Sequence, residues 1–169
     1  MGAHTSSWRI ALFLGLYGLF DITYFQVPDT VLREWVYPRG LAAVAANLAA
    51  WLAPGEGIVA AWHHIRSALA DLEIVRGCDG SGALFLVASA VLASSAGWRW
   101  KATGLLTAGA LLYAVNLVRL VALYFVVAHL RDWFLVVHTY VAPILIIAIG
   151  CLFFARWSWS VRGPSRGAA

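Results

Sequence analysis

Residues Ala102 to Ala128 read ATGLLTAGALLYAVNLVRLVALYFVVA, and this stretch decides the fold class of the chain. It is longer than the roughly 20 apolar residues that a helix needs to cross a bilayer. Arg119 is its only charged residue. A run of this length and apolarity is typical of a membrane-spanning segment rather than of a helix in a soluble core. The sequence therefore predicts a transmembrane helix here.

Three further runs have the same character: Trp8 to Val27, Gly82 to Gly97 and Trp133 to Ala155. The chain of 169 residues is 62% hydrophobic and only 12% charged, so lipid must cover most of its surface. These runs predict an all-α membrane protein with about four transmembrane helices. We expect one integral membrane domain over residues 1–160 and a disordered cytoplasmic tail over residues 161–169.

Two segments between the first and second runs are expected to be helical without crossing the membrane. The run from Leu41 to Ala53 has 13 residues and is followed by Pro54, which predicts an interfacial or re-entrant helix on the outer side. If it crossed instead, the N-terminus would change sides. The segment from Gly57 to Leu72 is interpreted as an amphipathic outer helix that contacts substrate.

Basic residues near the span ends indicate the orientation, because short cytoplasmic loops are enriched in lysine and arginine. They place the link after the second run and the C-terminus inside: Arg99, Lys101, Arg156, Arg162 and Arg166. With four spans both termini are cytoplasmic, and the region from Thr30 to Cys78 faces outward. The net charge of +4 does not indicate nucleic acid, since these residues form no basic stripe. We expect a multi-pass protein of the bacterial inner (cytoplasmic) membrane, with lipid as a partner.

Three polar residues from different segments fall in one layer of that membrane. Cys78 precedes the second run by four residues, and His138 lies just inside the fourth run. Arg119 lies about 13 Å below the outer end of the third run, at about 1.5 Å per residue. A charged residue within a span costs about 2.5–3.5 kcal/mol on insertion scales, so Arg119 needs a partner or a wet cavity. A thiol, a guanidinium and an imidazole are thus expected to meet.

This set of groups can perform acyl transfer. A thiolate is the nucleophile, and the nearby cations Arg119 and protonated His138 are expected to lower the pKa of Cys78. The cation can also stabilise an oxyanion while the imidazole protonates a leaving amine. The sequence predicts Cys78, Arg119 and His138 as catalytic residues on the outer, periplasmic side.

Neighbouring residues are expected to support this set or to bind substrate. Asn116 shares the helical face of Arg119, where it either supports the site or only bonds a neighbouring helix. Asp79 and Gly80 belong to the turn Gly77-Cys78-Asp79-Gly80, whose glycines let the backbone approach a ligand.

The remaining polar residues carry weaker signals. Cys151 lies near the inner end of the fourth run and is interpreted as a packing residue. It is not expected to form a disulfide with Cys78. Because Cys78 then has no resolving cysteine nearby, thiol-redox chemistry is disfavoured. His63 and His64 on a helix would point about 100° apart with no third ligand, so no metal site and no cofactor is predicted. Asp21 is either a proton-relay group or an electrostatic partner of Arg119.

Three motifs in order resemble the exosortase/archaeosortase family of membrane transpeptidases, most closely the compact exosortase H type. They are Glu73-Ile-Val-Arg-Gly-Cys78-Asp-Gly80 before a span, Asn116-Leu-Val-Arg119 within the next span, and His138 at the start of the last. The resemblance covers Asp71 to Trp157. It implies that Cys78 is the nucleophile and that Arg119 and His138 complete the site.

The resemblance also implies a substrate class. Substrates of the family are exported proteins that end in a short motif, a hydrophobic helix and a basic cluster. Cleavage before the helix, through a thioester at Cys78, would release the protein or transfer it to an unknown acceptor.

An alternative is a non-catalytic membrane subunit or a small transporter that uses Arg119, Asp21 and His138 as intramembrane polar sites. In that case Cys78 would be replaceable. Loss of processing in a stably inserted Cys78→Ala variant would favour the enzyme.

Overall fold

The computed structural model describes residues 2–162, and it describes their side chains from Ser7 to Val161. The α-helices are α1 (Gly2–Gln26), α2 (Asp29–Val31), α3 (Ala43–Leu52), α4 (Ser81–Ala93), α5 (Trp98–His129), α6 (Phe134–Val136) and α7 (Ala142–Arg162). π-Helical turns occupy Leu32–Val36, Pro38–Ala42 and Val137–Val141, and 3-10 turns occupy Pro54–Glu56 and Arg131–Trp133. The strands are β1 (Val59–Ala61), β2 (His64–Arg66) and β3 (Asp71–Glu73).

Helix α5 contains the whole run from Ala102 to Ala128, so the predicted helix is confirmed. Its 32 residues span about 48 Å, which exceeds the roughly 30 Å of a bilayer's hydrocarbon core. The helix begins after Gly97, whose backbone is extended, and ends before Leu130, which leaves the helical region. This long helix carries Asn116 and Arg119.

Two helical stretches, Trp98–His129 and Arg131–Val161, are long and apolar enough to cross a membrane. A third crossing is possible by length and composition if Ser7–Gln26 and Asp29–Leu52 form one broken span, although they are bent by 84°. Of the four predicted runs, the one that contains α4 yields the shortest helix, because its 13 residues reach only about 20 Å. The described chain is thus helical, with membrane-crossing character in its longest helices.

Two apolar clusters hold the helices together. The first is formed by the region before α3, the sheet and one end of α5, and it includes Cys78, Tyr37, Ile65, Leu120 and Tyr124. The second joins α4, α5 and α7 at the other end of the bundle through Val87, Val91, Leu112, Ile146 and Trp157. The predicted helix from Leu41 to Ala53 is present as α3, whose buried alanines pack against α5. The site therefore belongs to the cluster that contains the sheet.

A three-stranded antiparallel sheet in the order β1-β2-β3 replaces the amphipathic helix predicted from Gly57 to Leu72. A two-residue turn, Trp62-His63, joins β1 to β2. The prediction of a helix here is wrong, and the fold is consequently not all-α.

The alternation of side chains explains why this segment forms strands. Ile65 in β2 lies opposite Leu72 in β3, and both are buried against the bundle. In β2 and β3 the residues on either side of the buried one are polar and more exposed. This alternation with a period of two suits a sheet with one covered face. Because each strand has only three residues, the pattern is too short to be distinguished in sequence from a helical face.

The predicted disordered tail falls almost entirely outside the described residues. Val161 and Arg162 end α7, and residues 163–169, including Arg166, are not described.

Candidate functional site

Cys78 lies in a tight loop between β3 and α4. The two glycines that flank the Cys78-Asp79 pair have left-handed backbones, with φ of +90° at Gly77 and +80° at Gly80. Side chains other than glycine rarely adopt this conformation, so the Gly-Cys-Asp-Gly sequence permits the loop. The backbone N–H of Cys78 donates to the carbonyl oxygen of Val75 at 2.9 Å. The thiol itself is buried, with 6% exposure.

His138 faces the thiol from the segment that precedes α7. Its Nε2 and Nδ1 atoms lie 3.8 and 3.9 Å from Sγ of Cys78. Phe134 stacks on the imidazole, with ring centroids 5.2 Å apart and planes 17° apart, and so fixes the ring plane. His138 lies in the π-helical turn Val137–Val141, an irregularity that often marks functional positions. A small movement of the imidazole toward Sγ would allow a proton to pass between the sulfur and a ring nitrogen.

Arg119 reaches the same loop from α5. Its Nη1 atom lies 3.5 Å from the carbonyl oxygen of Gly77, the residue before the thiol. Its Nε is buried and finds no hydrogen-bond partner among the described residues. Buried donors are normally satisfied, so this N–H lacks a partner that such a group usually has. The structure thus brings Cys78, Arg119 and His138 together.

The thiol is held in its neutral form. Burial raises the pKa of Cys78, and although the positive charge of Arg119 lowers it, burial has the larger effect. The predicted depressed pKa of Cys78 is therefore wrong for the resting protein. Sequence reasoning counted the cation but could not foresee how completely the first cluster covers the sulfur.

Asn116 and Gly80 are in contact. A Cβ atom added at Gly80 would lie 3.0 Å from Cγ of Asn116, so a larger residue would force this side chain to shift by a few tenths of an ångström. Asn116 is 1% exposed, and neither its Oδ1 nor its Nδ2 has a hydrogen-bond partner in the described part of the chain. The carboxamide therefore supports the loop from below and retains unused hydrogen-bonding capacity beside it.

Asp79 anchors the loop to the first half of the chain. Its carboxylate accepts hydrogen bonds from the hydroxyls of Tyr24 and Tyr37, the latter at 3.2 Å. The backbone N–H and hydroxyl of Ser81 bond to its other oxygen at 3.2 and 2.9 Å. Asp79 is thus a structural neighbour of the thiol, and sequence reasoning missed both tyrosines. Nothing in the sequence distinguishes them from ordinary interfacial tyrosines.

Arg76 is a third residue whose structural role was not predicted from the sequence. Its guanidinium donates to the carbonyl oxygens of Tyr24 at 2.6 Å and Val27 at 2.7 Å, and it pairs with Asp29 at 2.6 Å. Those carbonyls belong to the last turn of α1 and the residue after it, where a helix leaves acceptors without intrahelical partners. The bond to Asp29 is the main cause that raises the pKa of Arg76. Arg76 therefore fixes the end of α1 against the Cys78 loop.

Two cavities meet at this loop. One, of about 420 Å³, is lined by Cys78 and His138 together with residues of β3 and α5. The other, of about 410 Å³, lies between α1, α4, α5 and α7 and is lined by Gly77, Arg119 and Asp21. Asp21 and Arg119 share this second cavity but form no ion pair in the described structure.

A larger cavity, of about 750 Å³, lies at the opposite end of the bundle. It is lined by residues such as Arg9, Ser94 and Trp157, and none of the predicted site residues borders it. The thiol–imidazole pair thus borders a smaller cavity than this one.

The second cysteine has no part in the site. Cys78 and Cys151 are free thiols in the described chain, as predicted. Cys151 is exposed on the surface of α7 rather than buried among the helices.

No protein-family model, no curated protein and no solved structure matches this chain.

Proposed function

We propose that this chain is a membrane cysteine peptidase or transpeptidase of the exosortase type. The observation that carries the proposal is the contact between Sγ of Cys78 and the imidazole of His138, at 3.8 Å in a cavity that both residues line. A buried thiol beside an imidazole, with an arginine near the preceding peptide, has the parts that cysteine acyl transfer requires. The proposed substrates are exported proteins with a C-terminal motif, a hydrophobic helix and a basic cluster.

In the proposed reaction, His138 takes the thiol proton as Sγ attacks the carbonyl carbon of the scissile bond. This role follows from the raised pKa of Cys78, because the resting thiol needs a base. The guanidinium of Arg119 stabilises the negative oxygen of the tetrahedral intermediate. The carbon–nitrogen bond then breaks, His138 protonates the departing amine, and the acyl group remains on Sγ as a thioester.

The second half of the reaction resolves the thioester. An amine, a hydroxyl or water attacks the carbonyl carbon and gives its proton to His138. The carbon–sulfur bond breaks, and the thiolate recovers the proton from His138. Transfer and hydrolysis differ only in the nucleophile that enters.

The proposal includes an arrangement in the bacterial inner membrane. Four crossings would place both termini in the cytoplasm and the Cys78 loop on the outer side, as the arginine and lysine residues indicate. The short helix α4 would cross together with the residues that follow it, up to Gly97.

A second candidate function, a transporter or membrane subunit, is favoured by one observation. Asp21 and Arg119 line the same cavity between helices, which is a common setting for an intramembrane substrate or proton site. This reading assigns no role to the thiol–imidazole contact.

One experiment distinguishes the peptidase from the transporter or membrane subunit. The chain is co-produced with exported proteins that end in a short motif, a hydrophobic helix and a basic cluster, and membranes are analysed for a shortened product and for a hydroxylamine-sensitive adduct on the enzyme. We expect both with the parent and with Cys151→Ala, the matched control, and neither with Cys78→Ala. Unchanged processing by a stably inserted Cys78→Ala variant would overturn the peptidase proposal.

A further inference from the structure

Three side chains with metal-binding groups converge on the sheet. His63, His64 and Glu73 each offer one ligand atom, and these atoms all lie within 4.8 Å of one another. The register of the sheet places His64 directly opposite Glu73, which puts their side chains on the same face. The prediction that these histidines form no metal site rested on a helical placement, and that placement is wrong.

The turn before β2 brings the third group to this face. Neighbouring residues of an extended strand point to opposite faces, so two consecutive histidines would normally diverge. Here the rings of His63 and His64 are 4.5 Å apart between centroids. Trp62, which precedes them, has φ of +58° and is the one non-glycine residue with positive φ in the described chain. A positive φ is the geometry of tight two-residue hairpin turns, although it is rare in a residue as bulky as tryptophan.

His64 on β2 has a carboxylate beside one ring nitrogen, as metal-bound histidines usually do. Nδ1 of His64 lies 2.7 Å from Oδ1 of Asp71, and Arg66 donates to the other oxygen of that carboxylate, also at 2.7 Å. A carboxylate on one imidazole nitrogen orients the ring and leaves the other nitrogen for a metal. Nε2 of His64 is therefore the atom we assign as a ligand.

The carboxylate of Glu73 already contacts other side chains that a metal ion would meet on binding. Its Oε1 atom accepts from Arg33 at 2.9 Å and lies 3.3 Å from Nε2 of His63. The side chains of Arg33 and Glu73 are both 41% exposed. An exposed pair of this kind contributes little, so a dication can displace the guanidinium.

We propose that His63, His64 and Glu73 bind a divalent transition metal of the zinc class. Two imidazoles and one carboxylate are a common zinc ligand set, with water in the fourth position. Zinc bonds of about 2.0–2.2 Å require the ligand atoms to approach by about 1 Å, which side-chain rotation supplies at these partly exposed positions. The site is separate from the thiol and does not depend on the proposed function.

Binding would connect the turn after β1 to β3. Glu73 lies on β3, and Asp71 and Glu73 also line the cavity of Cys78. A metal at this position would therefore hold one wall of that cavity in place.

The test is a zinc titration of the full-length, untagged protein in detergent, with a chromophoric zinc chelator as competitor. We expect one zinc ion per chain and a loss of affinity of about tenfold or more in His63→Ala, His64→Ala and Glu73→Ala, with unchanged melting temperatures without zinc. Arg33→Ala should bind more tightly, because it removes the competitor for Glu73.

Two controls separate this site from others. His129 contacts a single carboxylate, that of Glu56, at 3.0 Å, so His129→Ala should bind zinc like the parent. Cys78→Ser tests whether zinc binds instead to the thiol of Cys78 and the imidazole of His138, which could bind it on their own. This variant should also bind zinc like the parent. Absence of micromolar binding by the parent, an equal loss in His129→Ala, or a loss in Cys78→Ser would each overturn the assignment.

Discussion

The Sγ atom of Cys78 lies 3.8 Å from Nε2 of His138, although 60 positions separate the two residues in sequence. The contact joins the loop before α4 to the turn before α7, and Phe134 stacks on the imidazole. The pair thus lies at the starts of α4 and α7, which both pack on α5, the helix that carries Arg119.

The first prediction concerns the ionisation of Cys78. Because burial raises its pKa, alkylation at pH 7.5 should be slower than that of a free cysteine, whose pKa is about 8.5. The rate should still be rising above that pH. Pulsed alkylation in a Cys151→Ser background measures it, and Arg119→Gln should shift the midpoint to higher pH because it removes the charge that lowers the pKa. A midpoint below about 8.5 in the parent would contradict the prediction.

The second prediction separates Arg119 from His138. His138→Ala should slow thioester formation by about 10²-fold or more, the usual contribution of a proton-transfer group. Arg119→Lys keeps the charge but loses the planar fork, so it should also be severely impaired. Asn116→Ala should cost less than either. The measurement is full-length substrate that accumulates in membranes, normalised to enzyme, with His129→Ala as the control; parental activity of Arg119→Lys would remove the oxyanion role.

The third prediction concerns Gly80. Gly80→Ala combines a left-handed backbone, which costs a non-glycine residue about 1–2 kcal/mol, with a contact of 3.0 Å to Asn116. Gly82→Ala is the matched control, because an added Cβ there meets nothing within 4 Å. Thermal unfolding in detergent should show a lower melting temperature for Gly80→Ala only. Adding Asn116→Ala should restore part of the loss, since it relieves the contact but not the backbone strain.

The fourth prediction concerns Arg76. Arg76→Ala removes two bonds to carbonyls at the end of α1 as well as the pair with Asp29, whereas Asp29→Asn weakens only the exposed ion pair. We expect a clear fall in melting temperature and faster proteolysis near Val27 in Arg76→Ala, and nearly parental behaviour in Asp29→Asn. Equal effects of the two substitutions would mean that the ion pair, rather than the carbonyl bonds, holds α1.

The fifth prediction concerns orientation. Reporter fusions after Lys101 and after Trp159 should both report the cytoplasm, because basic residues flank these positions. A fusion after Leu130 should report the outer side. An external signal from either of the first two would overturn the proposed topology and the compartment of Cys78.

The sequence predicted the long helices well because their signal is strong. A run such as Ala102 to Ala128 has only one plausible structure in lipid, and α5 contains all of it. The proximity of Cys78, Arg119 and His138 was also predicted from the sequence, because the position of each residue relative to the end of an apolar run can be counted.

The sheet and the network around Asp79 could not be predicted. Strands of three residues depend on contacts with distant residues, here the bundle that covers Ile65 and Leu72, more than on local preference. The bonds from Tyr24 and Tyr37 to Asp79 join residues 55 and 42 positions apart, and they depend on the bend between α1 and the helical region before α3. No local pattern encodes that angle.

Gly77 and Cys78 are consecutive residues, yet Cys78 lines the cavity of His138 while Gly77 lines the cavity of Arg119 and Asp21. A covalent intermediate usually gives ping-pong kinetics, in which the first product leaves before the acceptor binds. If the acceptor first binds in the cavity of Arg119, it can be present while the leaving segment still occupies the cavity of His138, and it moves to the thioester at Cys78 once that segment departs. For the proposed transpeptidase, initial-rate plots against the two substrates would then intersect rather than run parallel.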